Sequence, residues 1–258
     1  MRYSRRDTLR IGTGTLAGMG LAAALPLRAE AQAALVHPTE GGEIVIHPVE
    51  HASLVLEVPG MVIHVDPVGD PAAYARLPRP GLILVTHEHG DHYAPETLAA
   101  LAGTETRLLT NPAVHAMLPA ELQERATAIA NGERTTANAI GIEAVPAYNL
   151  TEDRLQFHPQ GRDNGYVLEI DGRRVYIAGD TEDIPEMRAL QGIDIAFVPM
   201  NVPYTMDVAQ AASAVADFAP GVVYPYHYGE SDVGEFLMLV TEAGGPTEVV
   251  LVNWYPGG

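Results

Sequence analysis

Residues 86–92 read Thr-His-Glu-His-Gly-Asp-His, so His87, His89, Asp91 and His92 put four side chains able to bind a metal within six residues. Imidazole nitrogen and carboxylate oxygen suit zinc first, with manganese or iron as other candidates. In an extended segment residues two apart point the same way, so His87 and His89 can grip one ion together. Gly90 lets the chain bend and present Asp91 and His92 elsewhere, so one loop can serve two ions. The pattern is not the helical His-Glu-x-x-His zinc motif, because the residue four after His87 is Asp91. The alternative is a polar surface loop, but solvation alone poorly explains three of the chain's ten histidines in six residues. The sequence holds no cysteine, so neither thiolate ligation nor a disulfide is available.

Such a loop needs a rigid base. Leu82–Val85 is a short continuous apolar run of the kind a buried strand shows, and it feeds directly into the cluster. Before it, residues 32–42 form a loose entry, and residues 43–47, 52–58 and Met61–Val65 have the pattern of a β meander. After it, the spacing predicts short helices over Pro95–Leu101 and 111–125, with Asn111 as a cap and Arg107–Thr110 as a strand between them. The second half repeats the theme, with strands over 141–145, 166–170, Arg173–Ile177, 193–199, Val222–Tyr226 and 248–252. Asp171-Gly172 is a two-residue hairpin signal, Asp207 can cap a helix reaching Phe218, and a last helix covers 231–243. Two β-rich halves, each carrying helices, fit one layered α/β domain over 32–258 with two central sheets.

Residues 1–31 form a different kind of segment. Paired arginines in Ser4-Arg5-Arg6-Asp7-Thr8-Leu9 precede an uncharged Gly- and Ala-rich run over 11–25, and small residues follow at 29–33. That order matches a twin-arginine signal peptide with an Ala-x-Ala cleavage site, and it predicts delivery by the twin-arginine machinery to the periplasm or beyond. A membrane anchor is disfavoured, since a spanning helix needs about 20 apolar residues and this run is shorter and diluted by glycine. Loss of the segment removes five arginines and two acids, moving the formal charge from −18 to −21. So acidic a chain, with no lysine and no run of arginines after the signal, is unsuited to nucleic acid, and a small-molecule substrate is expected.

Thr-His-Glu-His-Gly-Asp-His resembles the His-x-His-x-Asp-His signature of the metallo-β-lactamase superfamily. The resemblance runs over about residues 43–253, because His64-Val65-Asp66-Pro67, Ala178-Gly179-Asp180-Thr181 and Pro225-Tyr226-His227-Tyr228-Gly229 fall in the family's order. It is strongest to the branch that includes ascorbate-6-phosphate lactonase, where Glu50-His51-Ala52-Ser53 also has a counterpart. The resemblance implies an α/β, four-layer αββα sandwich and two divalent ions. It implies His87 and His89 on the first ion, and Asp91, His92 and His227 on the second, with Asp180 bridging. The function it implies is hydrolysis of a small ester, lactone, amide or phosphodiester by a metal-bound hydroxide. Asp91 would share in catalysis, while Asp66 and His51 would orient the ligands by hydrogen bonds.

One position departs from the family. Where a third histidine of the first ion is sought, the chain has Val145-Pro146-Ala147-Tyr148-Asn149. Asn149 offers an amide oxygen, and His158, nine residues on, is the natural substitute as ligand or catalytic contact. Arg154 and Arg162 flank His158 and can orient an anionic group of a substrate, or can be solvated charges balancing Glu152, Asp153 and Asp163. Loss of the third histidine leaves a second reading open, that of a non-catalytic exported metal binder of the same fold.

Overall fold

The computed structural model describes residues 35–255. The proposed signal segment, residues 1–31, lies outside them. Strands β1 (Val36–Pro38), β2 (Glu43–Glu50), β3 (Ser53–Val58), β4 (Met61–Val65), β5 (Leu82–Val85), β6 (Arg107–Thr110) and β7 (Ala126–Ala128) form one sheet in chain order. The second sheet runs β14 (Glu248–Val249), β13 (Val222–Tyr226), β12 (Ile195–Pro199), β11 (Arg173–Ile177), β10 (Asp163–Ile170), β9 (Ile140–Ala147), β8 (Arg134–Ala137). In each sheet four antiparallel strands give way to parallel ones, from β4 in the first and from β11 in the second. Parallel neighbours need crossovers. These are supplied by a 3-10 turn (Pro71–Tyr74) and by helices α1 (Pro95–Leu101), α2 (Pro112–Met117), α3 (Ala120–Gln123), α4 (Pro185–Arg188), α5 (Val208–Phe218) and α6 (Val233–Glu242).

Period-2 alternation explains the layering. On β5, Leu82 and Leu84 point into the core between the sheets, while Ile83 and Val85 meet Leu98, Val114 and Leu122 of α1 to α3. On β12, Ile195 and Phe197 point into the same central core, while Ala196 and Val198 meet Met187, Ala211, Val215 and Phe236 of α4 to α6. Three apolar interfaces therefore separate four layers in the order helices, sheet, sheet, helices, the α/β sandwich expected. A strand buried on both faces is apolar throughout, which is why β5 and β12 read as unbroken apolar runs.

Local signals explain most of the boundaries. Asn111 Oδ1 accepts from Val114 N at 2.7 Å, and Asp207 with Gln210 closes a capping box. Asp171 and Gly172 take φ of 47° and 82° between paired Ile170 and Arg173, as a two-residue hairpin turn requires. The single helical stretch expected over 111–125 is instead two short helices. Leu118 precedes Pro119, is driven to ψ 141°, and ends α2. The entry segment taken as loose contains β1, paired to β2, and the last strand stops at Val249 rather than 252. Strands β7 and β8 are short and half exposed, so they carry no apolar pattern to read. Among the described residues no helix is long and apolar enough to cross a membrane.

Gly165, in β10, marks the closest approach of backbone near the site. A Cβ built there would lie 2.5 Å from the Ala178 carbonyl oxygen and 2.8 Å from that of Ile177. Gly165→Ala is expected to destabilise the fold by about 1–3 kcal/mol, as overpacking against backbone does, read as a lower urea midpoint. An unchanged midpoint would show that the strands can part freely.

Candidate metal centre

The candidate side chains follow the C-terminal ends of strands. Asp66 follows β4, His87 to His92 follow β5, Asn149 and His158 lie on the loop after β9, Asp180 follows β11, and His227 follows β13. In α/β sheets the crevice beyond the carboxyl ends of the strands is where loops can surround a ligand on a rigid base. Six non-glycine residues among those described have φ in the left-handed region. Asn138, Asp171 and Ala219 sit in turns or at a helix end, whereas His51, Asp66 and His227 are at the site with φ of 53°, 43° and 46°. Such conformations cost on the order of 1 kcal/mol each and persist where surrounding contacts impose them. Here His227 N donates to the His51 carbonyl at 3.0 Å, and His51 N donates to that of Trp254 at 2.9 Å.

Three triplets each bring their ligand atoms within 4.8 Å of one another: His87, His89 and His158; His87, His92 and Asp180; and His51, Asp91 and His227. Asp180 is where they meet. Its Oδ2 lies 3.2 Å from His227 Nε2, 3.5 Å from His158 Nε2 and 3.9 Å from His87 Nε2, and its Oδ1 lies 3.2 Å from His92 Nε2. Asp91 Oδ2 stands 3.4 Å from His227 Nε2, 3.3 Å from His51 Nε2 and 4.0 Å from His92 Nε2. The arrangement has two lobes, one of His87, His89 and His158 and one of Asp91, His92 and His227, with Asp180 between them.

Hydrogen bonds on the far side of the rings decide which nitrogens face inward. His92 Nδ1 donates to Asp66 Oδ2 at 2.8 Å, and His158 Nδ1 donates to Asp163 Oδ2 at 3.0 Å. Asp66 also accepts from Thr86 N and Thr86 Oγ1, both at 2.7 Å, which leaves the Thr86 oxygen to accept from His87 Nδ1 at 3.0 Å. Each of these rings then turns its Nε2 inward. His92 Nε2, His158 Nε2 and Asp180 Oδ1 are buried with no hydrogen-bond partner. Ring nitrogens converging beside a buried carboxylate, with their outer N–H groups held by carboxylates, are a donor set that fits a divalent cation.

The electrostatics set what a cation would have to displace, since His92, its pKa raised, keeps a proton that the ligand form gives up. Burial lowers the pKa of His92, but the carboxylates of Asp180 and Asp66 outweigh it and hold the ring well above its ordinary value. Burial likewise opposes the ionisation of Asp180, and His227 and His92 overcome it, so that carboxyl titrates well below the usual range. His87 is pushed well down, by burial first and by neighbouring His92 next. His89 is lowered by burial and by His158. Partial burial disfavours the charge on Asp91, yet hydrogen bonds from His227 and His51 hold it below the carboxylate range.

The flanking residues behave differently from expectation. Asn149 is buried, and its amide nitrogen donates to the carbonyls of Arg154 at 3.1 Å and Tyr204 at 2.8 Å, tying two loops together. The guanidinium groups of Arg154 and Arg162 are partly exposed and paired with carboxylates of the protein. Arg154 Nη1 donates to Glu182 Oε1 at 3.0 Å, and Arg162 pairs with Asp163 at 2.7 Å and Glu88 at 2.9 Å. Asp163, read as a solvated balancing charge, is fully buried and holds His158. Glu182 carries no motif, yet it is buried and accepts from Leu150 N, Thr151 N, Thr151 Oγ1 and Arg154. It folds the loop of His158 back over the site. Its place two residues after Asp180 was the available signal. His51 lies beside Asp91, with Nδ1 2.8 Å from the Tyr255 hydroxyl. A cleft of about 370 Å³, within the roughly 300–1,000 Å³ usual for small-molecule sites, opens onto His89, Asp91, His158 and Asp180 and is walled by Phe157, Asn201 and Tyr204.

Two stacked mixed sheets between helices, with a histidine and aspartate cleft at their strand ends, define an αββα sandwich built around a metal centre. The family described as the Beta-lactamase superfamily domain matches residues 45–227. A UPF0173 metal-dependent hydrolase of Symbiobacterium thermophilum is 32% identical over 206 residues, 72% of this chain and 87% of its own length. A structure from Parabacteroides distasonis, assigned as a metal-dependent hydrolase, is 43% identical with a TM-score of 0.76, covering 83% of this chain and 96% of its own. Igni18, a metallo hydrolase of Ignicoccus hospitalis, shares the fold at a TM-score of 0.68 and 24% identity, over 83% of this chain and 96% of its own. The chain belongs to the β-lactamase superfamily, in a family of metal-dependent hydrolases.

The carboxylate behind His158 gives a direct check. Asp163→Ala is expected to weaken binding of a divalent cation by about 10–100-fold, the usual cost of losing a ligand's outer partner. Calorimetric titration of zinc reads this, and an unchanged affinity would remove Asp163 from the site.

Proposed function

We propose that the chain hydrolyses a small ester, lactone, amide or phosphodiester at two divalent cations, zinc being the first candidate. His87, His89 and His158 hold one, Asp91, His92 and His227 hold the other, and Asp180 lies between them. The observation that carries this reading is the convergence of His158 and His92 on buried Asp180, with His158 and Asp180 lining an open cleft. When bound, such cations lower the pKa of water and polarise the scissile oxygen. The protein's own residues supply the rest. Asp66 and Asp163 hold protons on the outer ring nitrogens so that the inner ones face the centre, and Thr86 relays the same constraint to His87. Asp91, half exposed at the cleft, faces the substrate side of its lobe and can take a proton from the attacking water. His51 steadies Asp91 and is itself held by Tyr255.

Metal binding should be visible without turnover. Zinc at a hundred times its dissociation constant is expected to add about 2.7 kcal/mol of stability, read as a rise in Tm that a chelator reverses. For activity, a panel of esters, lactones, amides and phosphodiesters is turned over by the wild type and not by His89→Ala. Activity that survives His89→Ala would place the chemistry elsewhere, and two bound ions with no turnover across the panel would favour a non-catalytic metal binder.

We also propose export by the twin-arginine route, on the strength of Arg5-Arg6 and the apolar run after them. Replacing both arginines with lysine should leave the full-length chain in the cytoplasmic fraction. Periplasmic delivery of that variant would exclude the route.

A further inference from the structure

Two loops form the wall of the cleft, one over residues 149–158 and the other over 201–205, and their chemistry is uneven. Of the eight large apolar side chains strongly exposed among the described residues, Leu150, Leu155, Val202 and Tyr204 lie on these two short segments. Phe157 and Tyr204 line the cleft itself and meet edge to face, with ring centroids 5.0 Å apart. Asn149 ties the loops together through the Tyr204 carbonyl, and Arg154 Nη1 adds a bond to the Thr205 carbonyl at 3.3 Å, so the aromatic pair is held in place. Exposed apolar side chains gathered beside a site point to a ligand that covers them.

Charge narrows the choice. The described residues lining the cleft include two carboxylates, Asp91 and Asp180, and no lysine or arginine. The neighbouring guanidinium groups are spent on Glu182 and on Asp163 with Glu88, and the chain has no lysine. Glu152 and Asp153 stand exposed on the same loop. Apart from Asp91 and Asp180, whose charge the cations would offset, an anionic substituent would meet exposed Glu152 and Asp153 beside the wall and no unpaired guanidinium. Asn201 adds an amide to the lining, suited to a carbonyl or amide group.

Resting on the hydrolase reading above, we infer that the substrate is an uncharged ester, lactone or amide whose side group is aromatic or branched apolar, seated against Phe157 and Tyr204. Substrates that carry an anion beyond the scissile group are excluded by the same wall. Phe157 and Tyr204 are thus specificity residues, and neighbouring His158 links that wall to the metal lobe.

Three hydroxamates test this without turnover, because each presents the same metal-binding head on a different tail. Binding to the zinc-loaded protein is measured by calorimetry for acetohydroxamate, phenylacetohydroxamate and the hemisuccinate analogue, which ends in a carboxylate. The phenyl tail is expected to bind about ten-fold tighter than the methyl one, and the carboxylate tail more weakly than either. Phe157→Ala and Tyr204→Ala should each shrink the phenyl-to-methyl ratio at least three-fold, while Phe157→Leu and Tyr204→Phe retain most of it. Equal affinities, a preference for the carboxylate tail, or a ratio indifferent to both alanine variants would overturn the assignment. So would zinc-loaded protein that binds none of the three. Protein that takes up no zinc would instead overturn the hydrolase reading itself, and the assignment would fall with it.

Discussion

A single carboxylate, Asp180, sits buried between imidazoles that come from both halves of the chain. Leaving a carboxylate in a dry interior is costly unless cations or hydrogen bonds meet it. Here His87 and His92 approach from the first sheet, and His158 and His227 from the second, all within 3.9 Å. That requirement governs how the two sheets stack. The parallel strands β4 and β5 of one sheet and β11 to β13 of the other must end at the same level for these side chains to meet. Tyr166, whose hydroxyl donates to the Val85 carbonyl at 2.8 Å, pins a strand of the second sheet to the end of β5 in the first. Gly179, at φ 66° with an added Cβ only 2.8 Å from the Asn164 carbonyl oxygen, lets the strand carrying Asp180 come close enough.

The three buried aspartates do different things because their surroundings differ. Asp180 faces only inward nitrogens. Asp66 and Asp163 stand behind the rings and take the outer protons of His92 and His158. Asp66 is saturated by Thr86 and His92, whereas Asp163 is braced by Arg162, which also reaches Glu88 on the His87–His89 loop. The first lobe is thus held from outside by an Arg162 bridge that joins its two ligand-bearing loops. The acidic composition of the chain has a local counterpart here, since carboxylates outnumber guanidinium groups around the centre and a bound cation would complete the balance.

What could be read from sequence followed from how locally each feature is encoded. The segment Thr86 to His92 is contiguous and follows an apolar strand, so its strand-end position was legible. Asp180 and His227 were legible for the same reason, each lying just beyond a strand of recognisable pattern. Asp163 and Glu182 were not, because an acid in a polar stretch looks solvated until folding brings His158 and the 150–151 backbone to it. Of the acids set against Arg154 and Arg162 in the sequence, Asp163 does pair with Arg162, while Glu182 and Glu88 join through tertiary contacts that local spacing does not encode. The helix over 111–125 was drawn through Pro119 because its apolar spacing continued across the break, and the local steric rule prevailed.

The loop after β9 carries more than one task. His158 belongs to the first lobe, Phe157 beside it to the wall of the cleft, and Asn149 at its start to the junction with residues 201–205. The loop is too short for these roles to vary independently, since Glu182 and Arg162 fix its backbone and its charged side chains at once. A change in the shape of the apolar wall at Phe157 therefore falls directly beside the residue that serves the first lobe, His158. By contrast, the 201–205 segment carries wall residues and no metal-facing histidine. Altering the wall there changes the fit of a substrate while leaving the first lobe in place, which makes Tyr204 the position where specificity can drift at least cost to the metal centre.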